Sequence, residues 1–321
     1  VIKKIDPKNE FHLGEPILCK PNLTDASVKN DIDKCNRIAV KDVSKNPDDY
    51  SLLILKYGGP DLKAFCGNNL NDYLKTDKIS KVDRFLLEIH NLIKGLLFFK
   101  NNGIVHNDIK PQNILFNPID GKMKYIDFGL MRTKSEILKS SIDNTNYLGI
   151  YHWSFPFECG FMKKKIYNQY KNRNSQRRLF WKNELSELIV NNSKINTLKL
   201  PINNPDSFSI LFSYINSDDT IPNASIQYGY INSFFNGFND IISKRSYNSV
   251  LDRIVDSIDV FGLGFTLQFI INCFNRQNVF SIQEFTRLSG FFRKMYDFDI
   301  STRVVDINIL LNEYENILFE L

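Results

Sequence analysis

Apolar positions along this chain fall into three patterns, and each predicts an element. Between Val82 and Phe98 the residues Val82, Phe85, Leu86, Ile89, Ile93, Leu96 and Leu97 recur at helical spacing. This predicts an amphipathic helix that Asn102-Gly103 stops. Phe11 to Cys19 could supply a strand, and the apolar run Ser51 to Tyr57 predicts a buried one, which Gly58-Gly59-Pro60 ends. A shorter pattern predicts strand, turn and strand: Ile114-Leu115-Phe116, then the polar run 117–122, then Met123 to Ile126. The first ~50 residues are otherwise polar, and Pro7, Pro16, Pro21 and Pro47 break them into irregular chain. No apolar run approaches the length of a membrane span and the start has no signal-peptide pattern, so a soluble chain is expected.

Chemistry enters directly after the helix. His106-Asn107-Asp108-Ile109-Lys110-Pro111-Gln112-Asn113 is followed, beyond the strand-turn-strand pattern, by Asp127-Phe128-Gly129. An aspartate with a lysine two residues on and an asparagine five residues on fits one tight loop with three side chains facing one point. Phosphoryl transfer needs such a point, because catalysis consists mostly of placing the nucleophile and neutralising phosphate oxygens. Asp108 would accept or orient a hydroxyl proton, Lys110 would neutralise the group in flight, and Asn113 and Asp127 offer hard oxygen ligands for Mg²⁺. Either motif alone is weak or moderate evidence; both in this order are hard to obtain by chance.

These residues resemble the catalytic loop and metal-binding DFG of the eukaryotic-type serine/threonine protein kinase superfamily. The resemblance implies an α+β, two-lobed kinase-like fold. Residues 1–57 would form a small β-rich lobe, incomplete here, and residues 58–321 a mainly helical large lobe with a long insertion over 161–250. It implies ATP at a hinge where Leu55 is the gatekeeper, the backbone of Lys56 and Gly58 faces adenine, Asp61 lies near the ribose, and Leu115 is a further contact. Pro156-Phe157-Glu158 resembles the motif that closes the activation segment, here carrying Ser135, Ser140, Ser141, Thr145 and Tyr147. Asp259 to Gly264 resembles the start of the buried helix of the large lobe. By that resemblance Asp259 holds the catalytic-loop backbone and Arg303 is the buried partner of Glu158.

The departures carry their own expectations. No Gly-rich loop, paired lysine or helix glutamate can be placed. Ile38-Ala39-Val40-Lys41 imitates the lysine motif, but the ~15 residues from there to the hinge are too few for a helix and two strands. Lys3 is better spaced but lacks a helical stripe after it. The chain begins with Val1, which suggests a fragment whose missing parts lie upstream; a degenerate small lobe is the other account. Asn107 stands where the family usually has arginine, so activity is expected not to depend on activation-segment phosphorylation. Lys110 fits serine/threonine specificity, whereas Tyr151, His152 and Trp153, in place of the usual threonine, leave peptide preference unread.

Composition changes the picture little. The chain has 321 residues and a net charge of +5, so it can bury a full core. Its 5 cysteines are irregularly spaced without a CxxC, which suggests a reduced intracellular compartment and no zinc site. His12 and His90 read as ordinary packing or surface residues. About one residue in nine is Asn, a bias that an AT-rich genome produces. From Met162 to Lys182 the chain carries Lys163, Lys164, Lys165, Lys171, Arg173, Arg177, Arg178 and Lys182 without an acidic residue. That stretch suits an acidic partner or a solvated helix face; neither nucleic acid nor a transmembrane segment is expected.

Ile5-Asp6-Pro7 with Asn9-Glu10-Phe11, the loop, the insertion and the composition together are similar to kinases of large nucleocytoplasmic DNA viruses. That would place the protein in host-cell cytoplasm or in virions. The expected activity is transfer of the ATP γ-phosphate, with Mg²⁺, to protein serine or threonine hydroxyls. The alternatives are a pseudokinase or virion scaffold, and a small-molecule phosphotransferase, against which Lys110, the DFG and the Asp259 helix count.

Overall fold

A computed structural model describes residues 2–14, 17–34, 42–43, 45–145, 153–173, 175–176, 178–179, 182–183, 206–216 and 224–321. The chain divides into two compact units, Val1–Gly58 and Gly59–Leu321.

In the first unit a three-residue strand β1 (Ile17–Cys19) pairs antiparallel with β2 (Leu52–Ile54), Ile17 opposite Ile54. Phe11 to Cys19 thus supplies a strand at its end, while Ser51 to Tyr57 forms a shorter strand than its length predicts. The expectation of a buried strand fails as well, since Ile54, Leu55 and Tyr57 are exposed by 52%, 50% and 73%. A two-stranded ribbon has no third strand to cover its ends. The Ile5-to-Phe11 segment folds around Asp6, whose buried carboxylate accepts the amides of Glu10, Phe11 and His12 and bonds His12 Nδ1 at 2.7 Å. Burial favours the neutral acid, but these donors outweigh it and hold the Asp6 carboxyl below the usual range.

The second unit is mainly helical. The predicted amphipathic helix is α1 (Lys78–Asn101), longer than its apolar stripe, and it buries Phe85, Ile89, Leu92, Ile93 and Phe99. Two short antiparallel pairs lean on it: β3 (Ile104–Val105) with β6 (Arg132–Thr133), and β4 (Ile114–Asn117) with β5 (Lys122–Tyr125). Buried Glu88 of α1 pins the second pair, accepting from the Met123 amide at 3.0 Å and from Lys122 Nζ at 2.7 Å. Tyr125 completes the attachment by donating to the Leu92 carbonyl at 2.7 Å.

After the DFG the chain forms α2 (Lys134–Ile142), started by a capping box between Thr133 and Glu136. Described helices of the insertion are α3 (Lys164–Lys171), α4 (Asp206–Ile215) and α5 (Ala224–Lys244). The central helix α6 (Tyr247–Asn275) begins three turns before Asp259, because Ser246 caps it by accepting from the Ser249 amide. Asp259 thus lies mid-helix, not at its start, and α6 already covers the end of the 161–250 insertion. By length and apolarity α6 could cross a membrane, against the sequence expectation, yet 89% of its most apolar window is buried within the protein. It is the core helix, flanked by α7 (Ile282–Tyr296) and joined through it to α8 (Ile307–Glu320). Tyr314 of α8 donates to the Leu86 carbonyl of α1 at 3.0 Å and closes the bundle.

Candidate active site

The loop after β3 is suspended from α6. Asp259 accepts the backbone amides of His106 at 2.7 Å and of Asn107 at 3.0 Å. Burial pushes its carboxyl up to about 6, and the two amides pull it down by less. Three residues further along α6, Gly262 meets the Ile109 carbonyl so closely that a Cβ there would lie 2.6 Å from the oxygen. Glycine therefore lets the helix backbone touch the loop backbone.

His106 is fully buried and its Nε2 bonds the Ile126 carbonyl at 3.0 Å, with its ring 4.7 Å from that of Phe128. Donation from Nε2 leaves Nδ1 as the bare nitrogen, and Nδ1 is enclosed without a partner. Burial drives the imidazole down to about 4, overcoming the Ile126 carbonyl and the Asp108 and Asp127 charges, which favour the cation. His106 is thus a neutral spacer joining the loop to the residue before Asp127. Asn107 adopts a left-handed φ of 65°, which Asn tolerates better than most residues. Its buried amide donates to Leu130 O at 3.0 Å and Val105 O at 3.3 Å. Asn107 is thus a neutral brace between the loop and the residue after the DFG.

Three side chains predicted from sequence converge. Lys110 Nζ lies 2.8 Å from each Asp108 carboxylate oxygen, and Asn113 Nδ2 donates to Asp108 Oδ2 and to its carbonyl, both at 2.8 Å. Asp108 and Asn113 are buried to 6% and 5% exposure, so these bonds are shielded from bulk water. With both amide hydrogens engaged, Asn113 keeps Oδ1 as an oxygen ligand. The Ile126 amide donates to Asn113 O at 3.0 Å, which brings Asp127 out beside Asn113. Asp127 takes a left-handed φ of 59°, is exposed, and among the described residues accepts only a long 3.4 Å bond from the Gly129 amide. Among the described residues no three His, Cys, Asp or Glu side chains gather as metal ligands. One carboxylate and one amide oxygen are instead a donor set that fits Mg²⁺, which takes its remaining ligands from phosphate and water.

Of the residues expected at nucleotide, Asp61 and Leu115 come together as an antiparallel bridge, and the Phe116 amide donates to Pro60 O at 3.0 Å. Gly59, with φ of 95° and Phe116 O where a Cβ would stand, permits that approach. Asp61 Oδ1 caps the next helix through the Ala64 amide at 2.9 Å. Leu55, Lys56 and Gly58 belong to the first unit, where Leu55 is half exposed. Glu158 and Arg303 form a fully buried ion pair. The lysine-like segment 38–41 and residues 147, 151 and 152 lie outside the described residues.

One contact was not readable from sequence. Gln112, within the loop that carries Asp108, donates to the hydroxyl of Tyr214 at 2.9 Å, and Trp153 stacks on the Tyr214 ring at 5.2 Å. Helix α4 of the insertion therefore touches the loop that carries Asp108. The Ser-Phe-Ser-Ile-Leu-Phe-Ser-Tyr run over 207–214 could have been read as a helix, but not its partner.

Comparison with known proteins bears on this geometry. The protein kinase domain family matches residues 1–156. Mitogen-activated protein kinase 11 of Arabidopsis thaliana is 30% identical over 137 residues, 42% of this chain and 34% of the relative. Mitogen-activated protein kinase 4 of the same plant is 29% identical over 119 residues, 36% of this chain and 30% of the relative. Mitogen-activated protein kinase 12 of Homo sapiens is 37% identical over 68 residues, 21% of this chain and 18% of the relative. These matches support the protein kinase superfamily. The chain spans about a third or less of the length of these curated relatives, and its mostly helical second unit with few strands is compatible with a kinase-like fold.

Proposed function

We propose that this chain transfers the γ-phosphate of ATP to serine or threonine hydroxyls of proteins. The observation that carries the reading is the convergence of Lys110 and Asn113 on the Asp108 carboxylate at 2.8 Å, on a loop suspended from Asp259. Asp108 orients the incoming hydroxyl and takes its proton. Lys110, already paired with Asp108, offers its charge to the phosphoryl oxygens and so links nucleophile and phosphate in one cluster. Asn113 Oδ1 and Asp127 would hold Mg²⁺, which would supply charge neutralisation on the phosphates. Leu55, Lys56, Gly58, Asp61 and Leu115 hold the nucleotide in this reading. Lys110 and the names of the similar kinases favour serine/threonine specificity. The similarity to kinases of large DNA viruses, with action in host cytoplasm or in virions, belongs to the same proposal and rests on Ile5 to Phe11, the 106–113 loop, the insertion and composition.

The test is Mg·ATP binding and γ-phosphate transfer to a generic basic protein, with Asp108→Asn as control. Transfer that Asp108→Asn abolishes supports the reading. The absence of nucleotide binding and of transfer in both forms overturns it in favour of a scaffold.

A further inference from the structure

The chain beyond the DFG is fastened to the same helix that carries the loop of Asp108. β6 pairs with β3, Thr133 opposite Ile104, and the Lys134 amide donates to the Gly103 carbonyl at 2.8 Å. From there the Lys134 side chain reaches α6, where Nζ lies 2.8 Å from Asp252 Oδ1 and 2.7 Å from Asp256 Oδ1. Asp259, which accepts the His106 and Asn107 amides, follows Asp256 by one turn on the same helix face. One helix therefore holds both the loop and the chain after the DFG.

Each element carries a local choice that opposes its own stability, and the bridge offsets both. Lys134 is the first residue of α2, where a cation meets the positive end of the helix dipole. Asp252 and Asp256 stand four residues apart on α6, where like charges repel. An ammonium placed between the two carboxylates compensates for both. Burial favours the neutral amine, but Asp252 and Asp256 outweigh it and hold the Lys134 pKa above the usual lysine value. Lys134 is 28% exposed and Asp256 18%, so this contact is shielded more than an ordinary surface pair, which contributes little.

We propose that Lys134 is a positioning residue, whose bridge to Asp252 and Asp256 keeps Asp127 beside Asn113. The long bond from the Gly129 amide does little to hold the Asp127 carboxylate, so its place depends on the chain at either side. Before it, Ile126 is fixed by the Asn113 carbonyl and by His106. After it, Asn107 holds the Leu130 carbonyl, and Lys134 anchors the end of the same short stretch to α6. Without that anchor the stretch is tied to the loop by its first residues alone. The role rests on the protein kinase reading, in which Asn113 and Asp127 would share Mg²⁺.

Hydrogen exchange and ADP binding on the full chain test this, with Lys134→Met as the variant. The Met131 amide, bonded to Phe128 O, is expected to lose protection, while the His106 and Asn107 amides, held by Asp259, keep theirs. Mg²⁺ should tighten ADP binding in the unmutated chain. Lys134→Met should lose at least about tenfold of that gain, the low end for losing a group that orients metal ligands from outside, with ADP affinity in EDTA unchanged. Lys134→Arg, which can still donate to both carboxylates, should restore both readouts, and Asp252→Asn with Asp256→Asn should reproduce the loss. Glu136→Ala loosens α2 by removing its capping box without touching the bridge, and should leave both readouts as in the unmutated chain. Unchanged Met131 exchange in Lys134→Met, equal weakening of ADP binding with and without Mg²⁺, or the same effects from Glu136→Ala would overturn the proposal. If the unmutated chain shows neither an Mg²⁺ effect nor transfer, the kinase reading falls and Met131 exchange still decides whether the bridge orders the DFG. Transfer by a chain indifferent to Lys134→Met would do the reverse.

Discussion

Arg303 and Glu158 are paired in a place from which water is excluded, both side chains at 0% exposure. The pair joins the end of the segment after the DFG to the turn before α8, and Arg303 Nε also donates to Asp297 O at 2.7 Å. Arg253 of α6 clamps the same turn by donating to the carbonyls of Ile300 and Arg303 at 2.7 and 2.8 Å.

Removing one partner leaves the other charged, buried and unpaired, so Arg303→Met is expected to cost about 3–5 kcal/mol. Urea unfolding measures this directly. Replacing both, Glu158→Leu with Arg303→Met, should recover part of the loss, because the desolvation of two charges is no longer incurred. A double variant less stable than Arg303→Met would mean that an unpaired Glu158 carries no such penalty.

The neighbouring Asp259 and His106 are displaced in opposite directions by the same burial, to about 6 and about 4. For His106 the folded value lies below the ordinary 6.5, so its contribution is present above pH 6.5 and lost as pH falls towards 4. For Asp259 the folded value lies above 3.8, so its contribution is present below pH 3.8 and lost as pH rises through about 6. Each displacement is worth about 3 kcal/mol, and the two nearly cancel between pH 4 and 6. His106→Phe removes one arm: the stability gap between wild type and variant should widen by about 3 kcal/mol from pH 4 to 7. A constant gap would show that His106 titrates normally.

Asn107 predicts indifference to phosphorylation. It is buried and engaged with Val105 and Leu130, while Ser140 and Ser141 lie in helix α2, where Ser140 Oγ donates to Ile137 O at 3.1 Å. Phosphatase treatment is expected to leave turnover unchanged. A large gain on phosphorylating Ser140, Ser141 or Thr145 would contradict the assignment of Asn107 as a neutral brace.

What the sequence made legible is what the chain builds locally. Asp108, Lys110 and Asn113 meet because five residues of loop are enough to bring them together, and α1 announces itself through its stripe. Contacts closed by remote chain were legible only through family resemblance, as with Asp259 and Arg303, or not at all, as with Gln112 and Tyr214. Ser51 to Tyr57 shows the limit of apolar runs. Its residues have strand character, but burial depends on partners, and a ribbon paired only over Leu52–Ile54 leaves the rest exposed.

Tyr214 offers a test of whether the insertion matters to the loop. Tyr214→Phe removes one hydrogen bond to Gln112 and keeps the stack on Trp153, for a cost of about 1 kcal/mol. Tyr214→Ala removes both. If α4 positions the loop, turnover should fall in both, more in the second, while nucleotide affinity holds. Equal loss of turnover and nucleotide affinity would point to general unfolding instead.

Asp108→Asn addresses the chemistry itself. Asparagine is close in size, so Asn113 Nδ2 can still donate to the backbone carbonyl of residue 108 and the loop stays hung from Asp259. What disappears is the proton acceptor and the charge that holds Lys110. Losing a positioned base should lower turnover by at least ~10²-fold with nucleotide affinity kept. Because Lys110 is released at the same time, adding Lys110→Met to Asp108→Asn should cost less than Lys110→Met alone in the wild type, the signature of two residues acting as one unit. Full additivity would show that Asp108 and Lys110 act independently, and turnover unchanged in Asp108→Asn would remove Asp108 from the reaction and leave the cluster with a purely structural role.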